Sequence, residues 1–278
     1  MSQQDYKDRI RDFYDVVSPV FREFWGEHLH DGYYATGEES KADAQENLVR
    51  YLADAAQLPL DARGLDVGCG MGATSVWLAK NLGAHMTGVT LSPVQVEVAR
   101  QLAVREGVQA EFRMQDADSL GADEPFDFLW MVGVLGHLDD QRAFVEASPR
   151  LLRDGGRYVL GDWVASADLS ERDRRKYVEP VLEGMLMPDI ASIADYESWF
   201  EASGYQVHAA RDIAKSTRKT WDEGISIIQA PKILKLATEV GRDALGLLQA
   251  IRGMRKAMDR GLIGYGVVIA EKRTTGRP

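Results

Sequence analysis

Short apolar runs rich in branched and aromatic residues recur through the middle of the chain, separated by stretches whose apolar positions repeat every three or four residues. RGLDVG (63–68), AHMTGVTL (84–91), QAEFRM (109–114), FDFLWMVG (126–133) and GRYVLGDW (156–163) have the length and composition of strands. Between them, SVWLAKNLG and PVQVEVARQLAVREG carry a helical period. Val94, Val96, Val98, Ala99, Leu102 and Ala103 form one buried face, and Pro93 suits a first helical turn. Alternation of this kind over residues 63–163 predicts a parallel sheet with helices on both faces, whose ligands sit beyond the carboxyl ends of the strands. The flanks have a different pattern. Residues 1–62 read as a helical segment around an aromatic-rich loop, FREFWGEHLHDGYYATGEES, and 164–203 as a helical cap. Residues 204–278 return to the core with two strands, GYQVHAARDI and GYGVVIAEKR, around a mainly helical stretch at 215–260.

Composition narrows the partners. With 278 residues, 45% of them hydrophobic, the chain can bury a large core. Thirty-three basic against forty-three acidic side chains give a formal charge of -10, which opposes a nucleic-acid footprint or bulk attraction to anionic lipid. A small-molecule partner fits better, and a homo-oligomer stays open. Cys69 is the only cysteine, so neither an intrachain disulfide nor a multi-cysteine metal site can form. The start of the chain has no signal-like apolar region, and no run reaches the roughly 18 apolar residues of a membrane span. A cytoplasmic protein without stable membrane insertion is expected.

The candidate chemistry begins at GLDVGCGMGATS, between the first strand and the helix that follows it. Gly68, Gly70 and Gly72 give G-x-G-x-G, and Ala73 stands where a dinucleotide fingerprint has its third glycine. No Gly-Lys-Ser/Thr follows, so a phosphate loop is excluded. A ligand without pyrophosphate remains. The second strand ends at Thr90, near where this architecture places a ribose-reading side chain, and the third is followed by Gln115, Asp116 and Ala117, which could receive an adenine amino group.

Taken together, LDVGCGMGATSVWLA, GVTLSPVQVEVAR, DADSL, the histidine of GHLDD and LLRDGGRYVLGDW resemble the successive motifs of class I S-adenosylmethionine-dependent methyltransferases. YDVVSPVFREFWGEHLHDGYY and GVTLSPVQ are similar to the small-molecule branch that includes tocopherol, sarcosine/dimethylglycine and sugar O-methyltransferases. The resemblance implies an α/β, Rossmann-like, seven-stranded and mostly parallel sheet. It implies S-adenosylmethionine as cofactor, with Gly68, Cys69 and Gly70 at its methionyl part and Asp66 beneath the loop. Thr90, Leu91 and Gln95 would meet the ribose, Gln115, Asp116 and Ala117 the adenine, and Met131 and His137 would border the sulfonium. Tyr14, Ser18 and Tyr33 belong to the segment that closes over the cofactor in such proteins. Two departures stand out: Thr90 replaces the usual ribose-binding acid, and Gly133 and Gly136 stand where glutamates are common.

An activated sulfonium methyl requires only an aligned acceptor and a place for the acceptor's proton, and no metal. His137 is the first candidate base. For Asp162, at the end of the fifth strand, two roles stay open: orienting an acceptor or capping the next helix. The HLH sequence would put His28 and His30 on one face of a strand, but a metal site is disfavoured because no cysteine is near. Trp25, His28, His30, Tyr33 and Tyr34 read instead as an aromatic mouth, or as part of a packed N-terminal subdomain. Methyl transfer to a hydrophobic or aromatic small acceptor at oxygen, nitrogen or carbon is the leading reading. A non-catalytic cofactor-binding regulator and a nucleic-acid methyltransferase are the alternatives.

Overall fold

The computed structural model describes residues 3–121, 124–231, 233 and 241–274. Its centre is one sheet of seven strands: β1 (Arg63–Val67), β2 (His85–Thr90), β3 (Ala110–Met114), β4 (Phe126–Val132), β5 (Leu152–Ala165), β6 (Tyr205–Asp212) and β7 (Ile263–Lys272). The order across the sheet is β3-β2-β1-β4-β5-β7-β6. Strands β1 to β5 pair in parallel, whereas β7 runs antiparallel to both β5 and β6. The chain builds outward from β1 to β3 and then crosses back to place β4 on the other side of β1. That reversal opens a crevice at the carboxyl ends of β1 and β4.

Helix α1 (Gln3–Phe24) and α2 (Lys41–Ala56) precede the sheet, α3 (Ala73–Leu82) and α4 (Pro93–Glu106) link its first strands, and α5 (Gln141–Ala147) leads towards β5. Local chemistry fixes their ends. At α4, the Ser92 hydroxyl accepts from the Gln95 N–H, Pro93 fills the first turn, and Gly107 closes the helix at φ 67°.

The sheet separates two apolar layers, and a third core lies in the cap. Ile10, Phe13 and Val17 of α1 pack there with Val178, Val181, Leu182 and Met185, with Trp221, and with Leu247, Leu248, Ile251 and Met254. The cap is therefore assembled from the N-terminal helix, the helical stretch 171–184 and helices Lys219–Ile228 and Arg242–Asp259, rather than from 164–203 alone. Gly246 and Gly253 belong to the last helix, Arg242–Asp259. Gly184 packs so closely that a Cβ there would come within 2.4 Å of the Gly246 carbonyl oxygen. Part of the helix expected over 215–260, at 234–240, lies outside the described residues. No helix among the described residues is long and apolar enough to cross a membrane.

Candidate active site

The crevice is a cavity of about 200 Å³ roofed by α1. Its floor is the glycine loop. Gly68, Gly70 and Gly72 take φ values of 72°, 53° and 81°, and a Cβ at Gly68 would lie 2.4 Å from the Val134 side chain. The Gly68 and Cys69 N–H groups both donate to Val89 O, at 2.8 and 2.9 Å, which ties the loop to the end of β2. Cys69 offers the cavity its backbone; its thiol is buried in an apolar cluster, and burial pushes its pKa up. Beneath the loop, the buried Asp66 accepts from Ser75 Oγ at 2.6 Å. Burial raises its carboxyl to about 7, with the serine bond pulling the other way.

Along the wall the Thr90 hydroxyl donates to Gln95 Oε1 at 2.6 Å, and Gln95 Nε2 donates to Ser18 Oγ at 3.0 Å. Thr90 with Gln95 thus forms a neutral polar pair where an acid is usual, and the pair ties α4 to α1. At the far end, Lys7 Nζ bridges Asp116 at 2.6 Å and Asp118 at 2.5 Å. Leu91, Gln115 and Ala117 complete that end, and Tyr6, Ile10 and Tyr14 of α1 cover it. A cavity of this shape, with a bare loop at one end and Asp116 at the other, fits S-adenosylmethionine.

Tyr14 and His137 form a buried pair. The Tyr14 hydroxyl donates to His137 Nε2 at 3.2 Å, and the His137 Nδ1–H donates to Leu186 O at 2.9 Å. Both imidazole nitrogens are therefore engaged, and burial lowers the pKa of the ring, with the bond to the Leu186 carbonyl opposing it. Leu186 is itself held at φ 53°, and its carbonyl also accepts from Tyr6 OH at 2.6 Å, so one strained residue receives both α1 and the β4 loop.

Four expected site residues do not line the cavity. Met131 is fully buried on the opposite side of β4, where its sulfur accepts from Tyr158 OH at 3.0 Å; strand alternation presents its neighbours Trp130 and Val132 instead. Tyr33 turns away to stack on Tyr51 at 4.5 Å. Ser18 borders an adjoining hollow and touches the cofactor wall only through Gln95. Asp162 lies behind the wall, with its two oxygens accepting from the Gly136 and Trp163 N–H groups at 3.0 and 2.8 Å, and burial raises it to about 6. A Cβ at Gly136 would meet the flexible end of Met187, its Cε, at 2.0 Å.

The aromatic mouth also differs. His28 and His30 do line the cavity, but on an irregular loop, not a strand. The His30 Nδ1–H donates to Asp31 O at 2.7 Å, which leaves Nε2 as the acceptor facing His28 Nδ1 at 3.1 Å. Burial lowers the His30 pKa to about 4, and Gln45 Nε2 holds the carbonyls of both histidines. Trp25 and Tyr34 are buried; Trp25 packs on Trp221 with centroids 6.1 Å apart.

Sequence reasoning missed Asp31 and Tyr265, which line the cavity together with Trp130 and Trp163. Beside the cavity is a hollow of about 80 Å³, lined by Phe13, Val17, Phe21, Trp25, Met185, Trp221, Leu247 and Ile251. It shares Tyr14, Leu29, Asp31, His137 and Trp163 with the crevice. Among the described residues, the buried side-chain polar atoms without a hydrogen-bond partner are Trp25 Nε1, Asp31 Oδ1, Trp130 Nε1, Trp221 Nε1 and Tyr265 OH. Every one of these residues lines the crevice or the hollow. Orphaned groups concentrated on one surface mark it as a ligand site.

Known proteins agree with this geometry. A methyltransferase domain model matches residues 65–156. The 27-O-demethylrifamycin SV methyltransferase of Amycolatopsis mediterranei is 30% identical over 213 residues, covering 75% of this chain and 77% of that protein. The 2-methyl-6-phytyl-1,4-hydroquinone methyltransferase of Synechocystis is 30% identical over 288 residues, covering 88% of each. A mycolic acid cyclopropane synthase, CmaA1, solved with S-adenosylhomocysteine and CTAB, shares the fold with a TM-score of 0.85 at 20% identity, over 96% of this chain and 98% of that one. The chain belongs to the class I S-adenosylmethionine-dependent methyltransferases. It is an enzyme, and S-adenosylmethionine is its cofactor.

Proposed function

We propose that the chain methylates a small, predominantly apolar acceptor carrying one polar group, a phenol or hydroquinone being the simplest chemistry of that kind. The observation that supports this reading is the hollow. It opens from the crevice at Tyr14, Asp31 and His137, and its remaining wall is almost entirely apolar. A further hollow lined by Val20, Phe24, Ile227, Ile228 and Leu248 shares Val17, Phe21, Trp25, Leu247 and Ile251 with the first, which leaves room for an apolar extension. The named substrates of the two relatives are also compatible with an apolar, hydroxylated acceptor.

When bound, S-adenosylmethionine supplies a methyl group on positively charged sulfur. The protein's tasks are then alignment, exclusion of water and reception of a proton. The glycine loop admits the methionyl part close to the backbone, with Gly68, Cys69 and Gly70 at it and Asp66 below. Thr90, Leu91 and Gln95 bind the ribose, and Gln115, Asp116 and Ala117 the adenine. Tyr14 and His137 form a rigid wall at the junction of crevice and hollow. Because His137 has its Nε2 lone pair taken by Tyr14, its role here is to position, and Asp162 holds the loop that carries Gly136.

The net charge of -10 supports a partner other than nucleic acid. The single, buried cysteine suits a reducing compartment such as the cytoplasm. Labelled methyl transfer to a panel of phenols, prenylated hydroquinones, amines, sugars and RNA tests the reading. Label is expected in the apolar hydroxylated compounds. Label confined to sugars, amines or RNA would refute it.

A further inference from the structure

The polar end of the hollow holds a buried carboxylate oxygen, Asp31 Oδ1, that makes no hydrogen bond within 3.5 Å among the described residues. Asp31, in the loop between α1 and α2, is 3% exposed and borders both the crevice and the hollow. Its Oδ2 accepts from the Trp163 indole N–H at 2.8 Å, while its buried Oδ1 has no hydrogen-bond partner among the described residues. A fold gains nothing by burying an unpaired carboxylate oxygen, and native proteins seldom keep one idle. The placement is not slack. His30 Nδ1–H holds the Asp31 carbonyl, the Gly32 N–H donates to Thr220 Oγ1 at 2.9 Å, and the Tyr33 N–H donates to Ala44 O at 2.6 Å.

The two site residues expected to act as base or to orient the acceptor, His137 and Asp162, are committed elsewhere. His137 is bonded at both nitrogens, and both Asp162 oxygens accept from backbone N–H groups. We propose that Asp31 is the catalytic residue that receives the acceptor, its Oδ1 accepting the hydrogen of a hydroxyl or amine in the hollow and taking that proton during transfer. The inference rests on the hollow being the acceptor site. In the step, the acceptor lone pair forms the new bond to carbon, the carbon–sulfur pair leaves with sulfur, and the proton passes to Oδ1.

The electrostatics suit the task. Burial pushes the Asp31 carboxyl up to about 7 and the nearby Asp162 adds to the rise, while the side chains of Trp163, Trp221 and Thr220 oppose it. The other groups facing it are His30 and the phenols of Tyr34 and Tyr265. Burial keeps that imidazole neutral and raises both phenols. A base near 7 is ionised at working pH yet still basic enough to take a proton.

Two ligands, one with a hydroxyl hydrogen and one with a methyl group in its place, test this directly. Phenol and anisole are titrated by calorimetry into protein saturated with S-adenosylhomocysteine, using wild type, Asp31→Asn and Asp31→Leu, each checked for cooperative melting. Wild type is expected to bind phenol at least tenfold more tightly than anisole, and Asp31→Leu to lose the preference. With an acceptor that wild type methylates, Asp31→Asn is expected to lower kcat at least 100-fold, leave KM within threefold, and remove the acid limb of the kcat profile near pH 7. Binding of both ligands without discrimination, or an unchanged pH limb in Asp31→Asn, overturns the role of Asp31 alone. Failure of both ligands to bind wild type, or binding of anisole alone, removes the hollow as acceptor site, and the proposal with it.

Discussion

At the scale of single residues, three buried carboxyls carry unfavourable charge in the folded state: Asp31 and Asp66 are raised to about 7 and Asp162 to about 6. A carboxyl whose folded pKa lies above its unfolded value binds more protons when folded, so its contribution to stability falls as pH rises between the two values. For Asp31 that window runs from 3.8 to about 7. At about 1.4 kcal/mol per pH unit, the ionised side chain weakens the fold by up to about 4 kcal/mol above neutrality. Asp31→Asn is therefore expected to stabilise the protein by about 1–3 kcal/mol at pH 8 and by much less at pH 5, measured by urea unfolding. The buried histidines act in the opposite sense, because His30, depressed to about 4, disfavours the fold as pH falls below 6.5. The contrast between variant and wild type isolates Asp31 from them. None of this was legible in the sequence, where Asp31 sits among the acids and aromatics of a loop whose path only tertiary contacts determine. Asp66, Gly68, Gly70 and Asp116 were legible because strand, turn and helix fix their places locally.

At the scale of elements, α1 is fastened to the ends of the strands by side chains. Asp15 accepts from the Ser92 hydroxyl at the start of α4, Ser18 accepts from Gln95, and Lys7 pairs with Asp116 and Asp118. The bond between Ser18 and Gln95 is worth about 1 kcal/mol, that to the Asp15 side chain at least as much, and the part-exposed lysine pairs less after screening. Removing both hydroxyl contacts with Asp15→Ala and Ser18→Ala is expected to speed amide exchange in α1 about thirtyfold or more relative to α2, since the two together are worth at least about 2 kcal/mol and a tenfold change corresponds to about 1.4 kcal/mol. Equal exchange in variant and wild type would show that the apolar face of α1 alone holds it. The sequence supplied the helix and its amphipathic face. It could not supply the fastenings, because Ser18 meets its partner 77 positions away. Strand parity was the other loss: Met131 and Trp130 are equally apolar neighbours, and only the register of β4 between β1 and β5 decides which one faces the crevice.

At the scale of the molecule, the sheet and its crevice followed from strand–helix alternation, while the cap did not, because its pieces come from distant parts of the chain and are joined only by packing. Cofactor binding should brace the whole. At 100 times its dissociation constant, S-adenosylhomocysteine is expected to stabilise the fold by about 2.7 kcal/mol, seen as a rise in Tm of several degrees by calorimetry. Deleting residues 1–24 should reduce that rise, since Tyr6, Lys7, Ile10 and Tyr14 are part of the wall. The same helix roofs the crevice with Tyr6 and Lys7 and the hollow with Phe13, Val17 and Phe21. Two chambers lie under one roof: with the hollow as the proposed acceptor site, any displacement of α1 would uncover both at once, and departure of the spent cofactor would be coupled to exchange of the acceptor.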